Sequence, residues 1–89
     1  MEELQQTFGI LGIFAIFDLK SKRYDTPFFG VSDLMAKRRY MIIMQDDKSP
    51  LRAFKEDFEL HRVGIFDVTN GEVSETGESL IILKGEEVK

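Results

Sequence analysis

Residues 10–19 read ILGIFAIFDL, and this run constrains the chain more than any other feature. The apolar stretch from Phe8 to Phe17 is ten residues long. A helix needs about 20 to span a bilayer, so no membrane span is expected. With almost no polar alternation, the run predicts a strand covered on both faces. Gly9 and Gly12 blur where it starts. A buried strand needs partners, and 89 residues supply them from one domain, residues 1–89. So short a chain has a thin margin of burial, which its eight phenylalanines help to offset.

The remaining elements follow from local signals. Residues 1–7 are polar and expected to be loosely ordered. Ser21-Lys22-Arg23 forms a short basic connection to a second strand, Tyr24–Phe29, which Pro27 marks as an edge or a bulge. Gly30 and Ser32 break that strand. Ser32 is an N-cap candidate, with Asp33 favourable in the first turn, and a helix over Asp33–Gln45 follows. One helical stripe holds Leu34, Arg38, Met41, Ile42 and Gln45; another holds Ala36, Tyr40, Ile43 and Met44. A third strand, Phe58–Phe66, changes its apolar phase near His61-Arg62 and predicts a bulge there. Thr69-Asn70-Gly71 is a hairpin turn. A short strand at Glu72–Ser74, a turn at Gly77, a fifth strand at Ser79–Lys84 and a polar tail from Gly85 complete the chain. The expected fold class is α+β: a small antiparallel sheet of about five strands, in the order β-β-α-β-β-β, with one main helix packed on one face. Leu11, Ile13, Phe17, Met41, Ile42, Phe58, Leu60, Ile65, Phe66 and Ile82 are the expected core. A first strand apolar on both faces, and a helix apolar nearly all round at Tyr40–Met44, exceed what one chain can cover, so a homodimer or higher oligomer is expected.

No catalytic signature is present. The absence of cysteine excludes disulfides, thiolate zinc sites and thiol nucleophiles. His61 stands alone, and its plain reading is a surface or partly buried strand residue. There is no phosphate-binding glycine loop and no nucleophile elbow. Asp46-Asp47 could bind a cation, but adjacent acids at a helix end are more often a solvated turn, and Glu56, Asp57 and Glu59 lack the third ligand and the glycine of a calcium loop. The expected protein is therefore not an enzyme and holds no metal or cofactor. The acidic start, Met1-Glu2-Glu3, is unlike a secretory leader.

Charge supplies the one functional pointer. Residues 20–39 hold six basic side chains against Asp25 and Asp33, a net +4 in a chain whose total is −4. Single-stranded nucleic acid is gripped by cations along its backbone and by aromatic rings under its bases. Lys20, Lys22, Arg23 and Tyr24 at the first hairpin, with Lys37 and Arg39 on the helix, are the candidate nucleic-acid-binding residues, and Phe28 and Phe29 lie between them. Against this, Lys37, Arg38 and Arg39 span more than half a helical turn and cannot all face one ligand. Phe28 and Phe29 point to opposite faces of a strand, so at least one belongs to the core.

An ordered set of short patterns resembles the small non-structural protein of gokushovirus-type microviruses, which are single-stranded DNA phages. These are Ile13–Lys20, then Tyr24-Asp25-Thr26-Pro27-Phe28-Phe29, then Ala36, Arg38 and Tyr40, then Asp57-Phe58-x-Leu60-x-x-Val63-Gly64-x-Phe66-Asp67 followed by Asn70-Gly71. Lys55 departs from the pattern, which has proline there, and residues 1–11 and 80–83 lie outside the similarity. The resemblance implies a phage protein made in the cytoplasm of the infected bacterium and absent from the virion. It also implies binding to single-stranded DNA, with a role in replicating or packaging the viral genome. The competing expectation is a protein-interaction module that regulates a replication or host factor through the acidic C-terminal part, without contacting nucleic acid.

Overall fold

Strand β1 (Ile10–Asp18), apolar on both faces, lies in the interior of the sheet. The computed structural model describes residues 9–88, with residues 76–80 described by their backbone alone; the loose order expected for residues 1–7 lies outside the described residues. On one side β1 pairs antiparallel with β4 (Phe58–Asp67), from Ile10 opposite Asp67 to Asp18 opposite Phe58. On its other side it pairs with two short strands, β2 (Arg23–Tyr24) and β3 (Phe28–Gly30). Strand β5 (Glu72–Lys84) pairs with the far edge of β4. Helix α1 (Asp33–Gln45) packs on one face, a 3-10 segment (Arg52–Asp57) leads into β4, and a 3-10 turn (Gly85–Glu87) follows β5. The fold is α+β, an antiparallel sheet of five strands with one main helix.

The division into strands differs from expectation in two places. The single strand expected at Tyr24–Phe29 is split at Asp25-Thr26-Pro27. Proline has no N–H for the ladder, and the Asp25 side chain turns the backbone by accepting the Thr26 N–H at 2.8 Å. The two strands expected at Glu72–Ser74 and Ser79–Lys84 are one. The chain leaves the ladder around Gly77 without ending the strand: Arg62 pairs with Leu80 and Gly64 with Glu75, so residues 76–79 bulge out opposite Val63. Glycine within a strand marks such a bulge as readily as a turn. The expected bulge near His61-Arg62 is present, with register shifts on both sides of β4.

Helix α1 has the expected bounds. The Ser32 hydroxyl accepts the Met35 N–H at 3.2 Å, and Asp33 in the first turn pairs with Arg62 of β4 at 3.0 Å. That ion pair and the core stripe share one side of the helix. Ala36, Tyr40 and Met44 face the sheet and are buried against Phe14, Ile16 and Leu60. The expectation that Met41 and Ile42 are core is overturned: they are 38% and 69% exposed. The stripe of Leu34, Met41 and Ile42 also holds Arg38 and Gln45, whereas that of Ala36, Tyr40, Ile43 and Met44 carries no charge and turns inward, with the Asp33–Arg62 pair on the same side. Leu60 is fully buried as expected, while Leu11, Ile13, Phe17, Phe58, Ile65, Phe66 and Ile82 are half-buried. The Tyr40 hydroxyl lies in this core without a hydrogen-bond partner among the described residues. Burial pushes its pKa upward, and the Glu59 carboxylate acts in the same direction.

The tail expected to be polar instead closes the core. Val88 is 3% exposed and belongs to the same cluster as Phe14 and Tyr40. Its carbonyl accepts from the Lys55 ammonium at 2.6 Å. Gly85 makes the docking possible, because a Cβ there would collide with the Lys55 carbonyl oxygen. Lys55, the position that departs from the microvirus pattern, thus holds the segment that completes the core.

Candidate nucleic-acid interface

The β1–β2 hairpin tip is fastened by its own backbone. Asp18 ends β1, and its carboxylate accepts the N–H of Lys20 at 2.9 Å and of Ser21 at 3.3 Å. The Lys22 N–H donates to the Asp18 carbonyl at 2.8 Å. The donated Lys20 N–H is the main reason the Asp18 carboxyl sits below the usual carboxylate range, with Ser21 and the Lys20 charge helping. Lys22 has φ of 62°, in the left-handed region. Lys20, Lys22 and Arg23 are all exposed and form no ion pair among the described residues.

Tyr24 follows immediately. It stands opposite Phe17 on β1, with ring centroids 4.7 Å apart, on the sheet face that α1 does not cover. Its hydroxyl lies 2.9 Å from Nδ1 of His61. His61 Nε2 lies 2.8 Å from the Glu59 carboxylate, and the His61 ring stacks on Phe17 at 5.2 Å. A carboxylate only accepts, so Nε2 carries the hydrogen; in the neutral ring Nδ1 then accepts the tyrosine O–H. Glu59 and His61 are buried, yet Tyr24 remains 44% exposed. This chain of three side chains fixes an aromatic ring beside three exposed cations.

The helix residues stand elsewhere. Arg39 lies with its guanidinium 4.4 Å from the centroid of Phe28, a cation–π contact over β3. Phe28 in turn stacks on Phe14 at 5.8 Å. Since Phe28 pairs with Phe14 and Tyr24 with Phe17, Arg39 stands about 10 Å along the strand from Tyr24. The two lie on opposite faces but on the same outer edge of the sheet, formed by β2 and β3. Phe29 is 56% exposed on that edge and meets Phe66 edge-to-face at 5.6 Å. Lys37 is half-buried and lies about 200° around the helix from Arg39, so the two do not share a surface. The structure brings Lys20, Lys22, Arg23 and Tyr24 together, sets Arg39 farther along the same edge, and leaves Lys37 apart.

Sequence reasoning missed the anchoring of Tyr24. The signal was available in part: Glu59 and His61 are two apart on a strand and therefore share a face. That this face is also Tyr24's depends on pairing across more than 30 residues. Among the described residues, no group of three or more histidine or acidic side chains is arranged to hold a metal ion. Among the same residues, no helix is long and apolar enough to cross a membrane.

Fold and edge together define a class: a small α+β protein whose antiparallel sheet carries a basic, aromatic outer edge. The Phage ORF5 protein family matches residues 11–88, nearly the whole of the described chain, and the chain belongs to that family of phage proteins. Neither the curated proteins nor the solved structures yield a match.

Proposed function

We propose that this phage protein is a non-enzymatic, microvirus-type non-structural protein that binds single-stranded DNA along the β2–β3 edge of its sheet. It acts in the cytoplasm of the infected bacterium, in replication or packaging of the viral genome. The observation that carries this reading is the pairing of an exposed basic tip, Lys20, Lys22 and Arg23, with the anchored and half-exposed ring of Tyr24. Lysine and arginine neutralise phosphates, while a fixed ring accepts a stacked base without losing further side-chain freedom. Arg39 and Phe29, farther along, extend the same edge by the length of one or two nucleotides. The acidic remainder of the chain repels a polyanion elsewhere, which confines the strand to this edge.

The test is fluorescence anisotropy with labelled oligothymidylate and with a duplex of equal length, at two salt concentrations. The single strand is expected to bind more tightly, with affinity falling steeply as salt rises. In the double variant Lys20→Ala/Lys22→Gly, affinity at low salt falls by about tenfold, and the salt slope flattens by about 0.7 for each phosphate that is no longer neutralised. Glycine suits the left-handed position of Lys22, so a weaker variant cannot be attributed to a damaged turn. No binding by the parent protein at low salt, or equal binding by the variant, discards this reading in favour of a protein-interaction module.

A further inference from the structure

Helix α1 is apolar on the side that faces away from the sheet. Leu34 is 58% exposed, Met41 38% and Ile42 69%, the last being the highest value among the exposed large hydrophobic residues. These three lie with Arg38 and Gln45 on one stripe, about 180° around the helix from Ala36 and Tyr40. The sheet therefore cannot cover them, and α1 presents a second contact surface.

Charge identifies the occupant. Arg38 lies four residues before Ile42 and Asp46 four residues after it. Arg38 is exposed at the centre of the stripe and forms no ion pair among the described residues. Asp46 is exposed at the end of the helix, with one carboxylate oxygen taken by the Lys48 N–H at 2.9 Å. A surface with a cation on one side of its apolar centre and an anion at the same distance on the other is complementary to itself when turned by two-fold symmetry. We infer that a second copy of this chain covers the C-terminal half of the stripe, from Arg38 through Met41 and Ile42 to Asp46, the two α1 helices crossing antiparallel on an axis at Ile42. Each Arg38 then stands opposite the partner's Asp46. Antiparallel helices packed 8–10 Å apart leave about the span that a guanidinium side chain bridges. The antiparallel arrangement also brings opposite ends of the helix dipoles together. Lys37 lies on one flank and Arg39 is held over Phe28 on the other, so neither sits on the axis. One helix face makes a small interface, of the weak and concentration-dependent kind. The inference does not depend on the DNA-binding reading.

Sedimentation equilibrium across micromolar to sub-millimolar protein reads the association. The parent is expected to shift from the mass of one chain to that of two, and Ile42→Asp to stay at one while keeping its far-ultraviolet circular dichroism. The register is tested by charge. Arg38→Asp and Asp46→Arg each weaken the dimer, and the double variant Arg38→Asp/Asp46→Arg restores it. The chain has no cysteine, so Ile42→Cys introduces a single thiol at the axis. On oxidation it should cross-link to itself in high yield, and Leu34→Cys should not. A parent that remains one chain throughout, a dimer that survives Ile42→Asp, or charge swaps whose losses simply add overturns the inference.

Discussion

The two hairpin tips of this protein use the same turn with different residues. At the β1–β2 tip the loop is Leu19-Lys20-Ser21-Lys22, and at the β4–β5 tip it is Val68-Thr69-Asn70-Gly71. Each is preceded by an aspartate that caps it. The Asp18 carboxylate accepts the Lys20 N–H at 2.9 Å, and the Asp67 carboxylate accepts the Thr69 N–H at 2.9 Å. Each fourth loop residue returns its N–H to the aspartate carbonyl, Lys22 at 2.8 Å and Gly71 at 2.7 Å. Both fourth residues are left-handed, with φ of 62° and 77°. Glycine takes that conformation without strain, whereas a residue with a Cβ loses about 1–2 kcal/mol. The tips lie at opposite ends of the sheet, because β1 and β4 run antiparallel between them. The far tip is therefore a turn built for turning. The near tip accepts strain at the place where it displays a cation.

Exchanging the fourth residues tests whether the two turns are equivalent. Gly71→Lys is expected to destabilise by about 1 kcal/mol, the left-handed penalty less the unfolded-state entropy that glycine carries. For a domain of this size that lowers Tm by about 4–8 °C per kcal/mol, read by thermal denaturation. Lys22→Gly is expected to do the reverse, raising Tm by a smaller amount. If Lys22→Gly lowers Tm, the lysine makes a stabilising contact and the comparison fails.

The aspartates offer a subtler distinction. Both titrate below the usual carboxylate range, Asp67 chiefly because the Thr69 hydroxyl donates to it, Asp18 chiefly because the Lys20 N–H does. A lowered folded-state pKa means that the stabilisation is present above about pH 4 and is lost as pH falls through the folded-state value. Asp18→Asn and Asp67→Asn should each make the acid loss of Tm shallower. Added salt should diminish the Asp18 effect more, because only there does a lysine charge contribute. Equal salt responses at the two tips would remove this difference between them.

What could be read from sequence follows the distance over which each feature is decided. Both turns, the Ser32 cap and the span Asp33–Gln45 depend on neighbours within about four residues, and all are legible. The rotation of α1 is not, because Leu34, Met41 and Ile42 look as suited to a core as Ala36, Tyr40 and Met44 do. Arg38 and Gln45 within the outer stripe and the pairing of Asp33 with Arg62, across the sheet, separate them. Gly77 is ambiguous for a similar reason: whether it bends the chain or bulges within β5 is settled by β4. At the candidate site, Lys20, Lys22, Arg23 and Tyr24 adjoin in sequence and adjoin in space. The contact of Arg39 with Phe28 and the anchoring of Tyr24 by His61 and Glu59 arise only once the sheet is assembled.

The central pairing of β1 with β4 has a consequence in time. Each hairpin closes a loop of four residues, an event of microseconds. The seam between them joins residues at least about 40 apart, since Asp18 meets Phe58 and Ile10 meets Asp67. Joining so distant segments loses chain entropy before native packing returns it, and slows folding accordingly. The two ends of the sheet are therefore expected to acquire their shape in refolding before the middle does. Stopped-flow experiments should find that replacing Leu60 by alanine, at the seam, slows refolding, while exchanges at Lys22 or Gly71 leave that rate nearly unchanged.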